Sequence, residues 1–233
     1  MLFAFALIHS PLVSPYTWAA TAAALQQRGH AARVPDLRDT PGAGPYWQQH
    51  CASAAAALAG WETATPLVLV AHSGAGALLP SLGRALGRPL AACLFVDAGW
   101  PVGGQSRLET FGPADRPAFE AFLNEGGRFP AWSADDLAPI LPDPAVRARL
   151  VAELRPRGRD YWTEPLPLIE GWPAAPLGVL RYTATYAPDA AQAAAHGALV
   201  RERPAGHFEM LAQPEVVAAE LIALAEAVIA RHG

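Results

Sequence analysis

The fold is decided by one stretch of the sequence, Val68-Leu69-Val70-Ala71-His72-Ser73-Gly74-Ala75-Gly76-Ala77. A fully apolar run, typical of a buried parallel strand, leads directly into a serine and then into a helix-forming segment. A sharp turn from strand to helix crowds the backbone, and the small residues Ala71 and Ala75 flank Ser73 as such a turn requires. The stretch therefore predicts a nucleophile turn that exposes the Ser73 hydroxyl and directs the Gly74 N–H at a nearby oxyanion. A simple helix N-cap is the alternative interpretation of the serine.

On both sides of this turn, short apolar runs alternate with helical segments. This alternation predicts an α/β fold, with a mostly parallel six-stranded sheet flanked by helices. The predicted strands are Leu2–Ile8, Ala32–Pro35, Leu67–Ala71, Ala91–Asp97, Leu177–Tyr182 and Ala198–Glu202. The helices predicted between and after them are Tyr16–Arg28, Tyr46–Gly60, Gly74–Leu86, Ala190–His196 and Glu215–Arg231.

Residues 99–175 interrupt the alternation, because they contain no strand-like run and are punctuated by Pro and Gly. Short helices are predicted there over Ala114–Asn124, Ala134–Ile140 and Pro144–Leu154. A long insertion between two core strands is more often a lid than a linker. We therefore expect a single domain, 1–233, in which 99–175 forms a helical cap inserted before the penultimate strand. A peripheral packing unit with no role at the site is the alternative.

Composition limits the classes of function. The chain has 233 residues, of which 52% are hydrophobic and 16% charged, with a net charge of −4. These values favour one well-packed domain and disfavour a general nucleic-acid binder. Cys51 and Cys93 form neither a disulfide framework nor a metal motif. The apolar start, Leu2–Ile8, lacks the basic flank and cleavage site of a signal peptide, so we expect a cytoplasmic protein without membrane or metal partners.

With the serine turn in place, the sequence resembles the α/β-hydrolase superfamily, from Ile8-His9-Ser10 to Gly206-His207-Phe208. The arrangement of strands and insertion is most similar to the compact, cofactor-free branch that includes plant methylesterases and hydroxynitrile lyases. A nucleophilic serine needs a general base. His207 follows the last predicted strand, in a loop that matches the family's Gly-His-Phe-x-Met pattern. The resemblance thus implies an α/β-hydrolase fold, no cofactor and His207 as the base, whereas His72 is expected to be structural.

Two residues are candidates for the acid that orients this base. The family usually carries the acid after the strand preceding the histidine, where this chain has Thr185, which has no carboxylate. Asp189 lies close by in the sequence, but it is read more simply as a helix start. Asp97 closes an apolar strand, where an ionisable side chain needs a partner, and some family members carry the acid after this strand. We expect Asp97 to be the acid and keep Asp189 as the alternative.

The second oxyanion donor departs from the family pattern. The family takes it from the loop after the first strand, where this chain has Pro11 at the usual donor position. Proline has no N–H, so Leu12 would supply the donor if the loop is shifted by one residue. The oxyanion hole is therefore expected to consist of Gly74 and Leu12, and losing one donor costs about 10²–10³ in rate.

Three functions are compatible with these residues. The leading hypothesis is a serine esterase or thioesterase that acts through a Ser73-His207-Asp97 triad and an acyl-enzyme on a hydrophobic small molecule. The second is a lyase, cyclase or rearrangement enzyme that uses the same serine and histidine for proton transfer. The third is a ligand-binding protein without activity. A homodimer is left open. Candidate substrate contacts are His9, Trp100, Phe122, Trp132 and Trp162.

Overall fold

A six-stranded parallel sheet forms the centre of the protein. The computed structural model describes residues 1–61, 64–173 and 175–232. The strands are β1 (Ala4–Ile8), β2 (Ala31–Arg33), β3 (Leu67–Ser73), β4 (Ala92–Ala98), β5 (Leu177–Arg181) and β6 (Leu199–Glu202). They lie in the order β2-β1-β3-β4-β5-β6, and each neighbouring pair is parallel. The predicted sheet is confirmed, and the ends of its strands shift by only a residue or two.

Helices cover both faces of the sheet. They are α1 (Tyr16–Gln27), α2 (Tyr46–Leu58), α3 (Leu79–Leu86), α4 (Arg116–Asn124), α5 (Pro144–Ala152), α6 (Arg159–Thr163), α7 (Ala187–Ala195), α8 (Glu209–Ala212) and α9 (Pro214–Ala230). Apolar residues of α1, α8 and α9 pack on one face of the sheet, and those of α2, α3 and α7 pack on the other. Within the described ranges, no helix is both long and apolar enough to cross a membrane.

Burial on both faces explains the continuous apolar runs. In β1, Phe5 and Leu7 belong to the core beneath α1 and α9, whereas Ala4, Ala6 and Ile8 belong to the opposite core. Every residue of this strand is buried, because helices lie on both sides of it. The apolar segment Ala4–Ile8 is therefore explained by an internal strand that is covered on both faces.

The insertion between β4 and β5 contains short helices. Residues 99–173 and 175 add no strand to the sheet. Residue 174, which belongs to the predicted cap, lies outside the described residues. The expected helix Ala134–Ile140 is wrong, because this segment forms turns. Ser133 starts those turns by bonding the Asp136 carboxylate through its N–H (2.8 Å) and its hydroxyl (2.7 Å), and Pro139 has no N–H for a helical bond. Helices α6 and α8 are not predicted from the sequence pattern.

The insertion contacts the sheet domain in two chemically different ways. On one side, the Arg157 guanidinium forms two hydrogen bonds with the Asp39 carboxylate, at 2.7 and 2.6 Å, and both side chains are buried. Burial alone would raise the pKa of Asp39, but the hydrogen bonds from His50 and Arg157 lower it to about 2. On the other side, Trp132 and Ile140 make apolar contacts with the core that contains Phe208.

Candidate active site

Ser73 stands at the end of β3 on a strained turn. Its φ of 55° lies in the left-handed region that non-glycine residues rarely adopt. The close approach of β4 to this turn requires glycine at position 76. A Cβ on Gly76 would lie 2.2 Å from the Gly99 carbonyl oxygen and 3.1 Å from the Ala98 Cβ. The predicted helix from Gly74 accordingly starts late, with a 3₁₀ turn over Gly76–Leu78 followed by α3.

His207 and Asp97 meet beside this turn. The Nδ1 of His207 lies 2.9 Å from the Asp97 Oδ2, and the Asp97 side chain is fully buried. The same carboxylate accepts hydrogen bonds from the main-chain N–H groups of Tyr182 and Thr183, both at 2.9 Å, and from the Thr183 hydroxyl at 2.8 Å. Burial opposes its charge, but the bonds from His207 and the main chain prevail and lower the pKa of Asp97. An ionised carboxylate is thus held against the imidazole.

Asp189 has a different partner. Its Oδ1 accepts a hydrogen bond from the main-chain N–H of Trp100 at 2.6 Å, at the start of the insertion. Burial raises the pKa of Asp189, in the direction opposite to that of Asp97. Of the two candidate acids, the structure therefore brings Asp97 to His207 and uses Asp189 to fix the main chain after β4.

Tyr186 also lies at the site, and the sequence analysis missed it. Its hydroxyl is 3.0 Å from the Ser73 Oγ, and its ring stacks on His207, with centroids 5.4 Å apart and planes 12° apart. Among the described residues, the Ser73 hydroxyl bonds Tyr186 and not His207. The sequence signal for Tyr186 is its place in 183–189, the segment where the family usually carries the acid.

His72 supports the loop that carries His207. It is fully buried, and its Nε2–H donates to the main-chain carbonyl of His207 at 2.9 Å, with the two rings 4.5 Å apart. Burial, followed by the nearby charge of His207, lowers the pKa of His72 well below 6.5, although Asp97 opposes this. His72 is therefore a neutral donor that positions His207, as expected of a structural histidine.

This burial predicts a loss of stability in mild acid. The unfolded chain takes up a proton at His72 near pH 6.5, and the folded chain does so only at lower pH. Stability is thus complete above pH 6.5 and falls below it, by up to about 1.4 kcal/mol per pH unit for one such group. We expect the Tm to fall between pH 6.5 and 5, and His72→Gln to flatten this fall. A residual slope of Tm against pH should remain in His72→Gln, because burial also lowers the pKa values of His50 and His30.

The matched control is the exposed His232→Gln, which should leave the slope of Tm against pH unchanged. An equal slope in wild type and His72→Gln would contradict this role for His72. Asp97 does not interfere, because its lowered pKa places its own proton uptake below the pH range of the measurement.

The candidate oxyanion site lies between the turn and the first loop. The Leu12 N–H points to the Ser10 Oγ at 3.4 Å, and the Pro11 carbonyl accepts a bond from Arg157 at 3.3 Å. A Cβ on Gly74 would lie 3.4 Å from the Ser10 Oγ and 3.8 Å from the Tyr161 hydroxyl. Groups from the turn, the first loop and the insertion thus surround the space beside Gly74. The Leu12 N–H reaches this space only in part, since it is directed at Ser10.

Three of the five expected substrate contacts have other surroundings. His9 is fully buried, and its ring nitrogens are engaged with the main chain of Ser10 (2.8 Å) and Leu37 (3.1 Å). Trp100 packs in the core on the α2, α3 and α7 side of the sheet. Phe122 is 39% exposed on the outside of α4. For these three residues we propose no contact with substrate.

The other two tryptophans lie closer to the site. Trp132 packs edge-to-face on Phe208, with centroids 5.6 Å apart, and Phe208 in turn contacts the ring of His207. Trp162 is buried in an aromatic cluster of the insertion, which also contains Leu12 of the first loop. The insertion therefore packs against both the loop that carries His207 and the first loop.

Other chemistries find little support among the described residues. Residues 1–61, 64–173 and 175–232 contain no group of three or more His, Cys, Asp or Glu that could hold a metal ion. Cys51 and Cys93 are buried, and burial raises the pKa of each thiol to about 12, which leaves them unreactive near neutral pH.

A sequence model described as the alpha/beta hydrolase family matches residues 5–220, which include Ser73, Asp97 and His207. The chain belongs to the alpha/beta hydrolase family. No curated protein matches its sequence significantly. The assignment to this hydrolase family confirms the resemblance seen in the sequence and agrees with the sheet order and the turn at Ser73.

Several solved structures are similar to this chain over almost its whole length. One is an extracellular α/β-hydrolase from a Paenibacillus species, described as sharing structural and functional homology with tobacco salicylic acid binding protein 2. It is 18% identical, with 95% of this chain and 98% of that chain covered and a TM-score of 0.78. A pyrethroid hydrolase from Sphingobium faniae is 19% identical (97% and 98% covered, TM-score 0.69). Tomato methylketone synthase I is 14% identical (98% and 99% covered, TM-score 0.68). At these identities the likeness shows the shared fold.

Proposed function

We propose that this protein is a serine hydrolase that cleaves an ester or thioester of a hydrophobic small molecule through an acyl-enzyme. The observation that carries the proposal is the buried contact between Asp97 and His207, at 2.9 Å, beside a serine on a left-handed turn. An ionised carboxylate in this position fixes the tautomer of the histidine and stabilises the imidazolium that forms during catalysis.

Each half of the reaction uses the same groups. Ser73 Oγ attacks the carbonyl carbon while its proton passes to the His207 Nε2. The oxyanion that forms accepts a hydrogen bond from the Gly74 N–H. The tetrahedral intermediate then releases the alcohol or thiol, which takes the proton from His207. Water attacks the acyl-enzyme in the same way and releases the acid. Leu12 is the proposed second oxyanion donor, after a small turn of its N–H away from Ser10.

The insertion favours an apolar substrate, and we propose that it acts as a cap. Trp132 and Ile140 pack beside the histidine loop, and Leu12 joins the aromatic cluster around Trp162. A Cβ on Gly206, next to His207, would lie 3.0 Å from Ile140, so the insertion approaches the base closely. Apolar side chains on both sides of the serine suit a hydrophobic acyl or alcohol group.

The test is covalent labelling of the folded protein. We expect a fluorophosphonate probe to add one adduct to wild type, seen by intact mass, and none to Ser73→Ala. Ser10→Ala is the matched control, because it removes a neighbouring hydroxyl and should still be labelled. A folded wild type without an adduct would contradict the proposal. Hydrolysis of p-nitrophenyl esters and of acyl thioesters then decides between the two substrate classes.

A second function is supported by the oxyanion loop. Pro11 has no N–H, and the Leu12 N–H is directed at the Ser10 Oγ, which leaves the Gly74 N–H as the principal main-chain donor. Such a site suits a lyase, cyclase or rearrangement enzyme in which Ser73 and His207 move protons. In that case fluorophosphonate would still label Ser73, but neither esters nor thioesters would be hydrolysed. A protein that only binds its ligand would show neither reaction.

A further inference from the structure

Tyr186 contacts both reacting side chains of the proposed triad. Its hydroxyl lies 3.0 Å from the Ser73 Oγ, and its ring stacks on the imidazole of His207. The residue ends a 3₁₀ turn at the start of α7, so main-chain structure on both sides fixes its position. A hydroxyl held at hydrogen-bond distance from the nucleophilic oxygen must affect each step in which the charge of that oxygen changes.

The protonation state of Tyr186 restricts what it can do. Burial, aided by the negative charges of Asp97 and Asp189, raises the pKa of Tyr186 well above its ordinary value, although the bond to Ser73 opposes this. The phenol therefore stays protonated at neutral pH and cannot serve as a base. It can donate a hydrogen bond to Oγ, while Ser73 gives its own proton to His207.

A hydrogen-bond donor on Oγ affects the two half-reactions in opposite directions. During acylation, Oγ is the attacking atom, and a donor lowers its electron density and hence its nucleophilicity. During deacylation, Oγ is the leaving atom, and the same donor stabilises the negative charge that develops there. A residue with a purely structural role would change both half-reactions by the same factor.

We propose that Tyr186 is a further catalytic residue, whose hydroxyl promotes deacylation by donating a hydrogen bond to the departing Ser73 Oγ. The inference rests on the proposed acyl-enzyme mechanism. Water adds to the acyl carbon and gives a proton to the His207 Nε2. The bond between the acyl carbon and Oγ then breaks, its electron pair moves to Oγ, and the proton of His207 follows. Tyr186 keeps its own proton throughout.

Single-turnover kinetics of Tyr186→Phe with a p-nitrophenyl ester test this role. Release of p-nitrophenolate reports acylation, and loss of the acyl adduct, followed by rapid quench and intact mass, reports deacylation. We expect deacylation to slow about tenfold, the loss of one hydrogen bond of about 1.4 kcal/mol, while acylation is unchanged or faster. Tyr182→Phe is the matched control. Tyr182 also lies between β5 and α7, and its hydroxyl, which donates to Glu220 at 2.8 Å, does not contact Ser73. In this control, the ratio of the acylation and deacylation rate constants should stay that of wild type.

Three results would overturn the inference: an equal change in both rate constants of Tyr186→Phe, no change in either, or a faster deacylation. These results differ from a failure of the proposed function, in which wild type itself forms no acyl adduct and is not labelled by fluorophosphonate at Ser73.

Discussion

Ser73→Ala is expected to lower kcat for ester hydrolysis by about 10⁶-fold, the size of the loss found when a triad nucleophile is removed. The fold should persist, because alanine is small enough for the crowded turn and the loss of the hydrogen bond to Tyr186 costs only about 1–3 kcal/mol. Steady-state kinetics with a p-nitrophenyl ester measure the loss, and the Tm and circular dichroism measure the fold.

His207→Ala should give a loss of similar size, and the double variant should be no worse than either single variant. Residues that act as one unit show this non-additivity, because the reaction left after the first change no longer uses the second residue. Full activity in a folded Ser73→Ala protein would contradict the acyl-enzyme mechanism.

Asp97→Asn should lower kcat by about 10⁴-fold, because the amide cannot stabilise the imidazolium and favours the wrong tautomer of His207. Steady-state kinetics with a p-nitrophenyl ester measure the loss, and circular dichroism checks that the variant is folded.

Asp189→Asn is the matched control, because the new side chain can still accept the bond from the Trp100 N–H through its amide oxygen. We expect its kcat to stay within a few-fold of wild type. Full activity of Asp97→Asn combined with a large loss in Asp189→Asn would show that the acid had been assigned to the wrong residue.

The sheet and its turn could be predicted because local rules decide them. Apolar runs mark strands that are buried on both faces, and the small residues around Ser73 mark a crowded turn. The helix expected over Ala134–Ile140 failed for a local reason as well: Ser133 and Asp136 form a competing turn, and Pro139 removes a donor. Leu137 and Ile140 still pack with the core, because this packing does not require a helix.

The surroundings of the site depended on contacts between distant parts of the chain. Asp97 and His207 are 110 residues apart, and only the order of the strands brings them together. Tyr186 was missed because its ring and hydroxyl matter only once β5 lies beside β4. Among the aromatic residues of the insertion, composition could not tell Phe122, which faces solvent, from Trp132, which packs beside the histidine loop.

The two kinds of contact beneath the insertion bear on how a substrate enters. Separating Arg157 from Asp39 would leave buried charges without partners, a cost of several kcal/mol. The contacts of Trp132 and Ile140 with the core involve no charge, so breaking and reforming them costs less free energy. For the proposed cap, we expect entry and product release along the edge next to His207, with the arginine side as the fixed hinge. Because Trp132 and Ile140 carry no charge, their parting from the core should depend little on ionic strength.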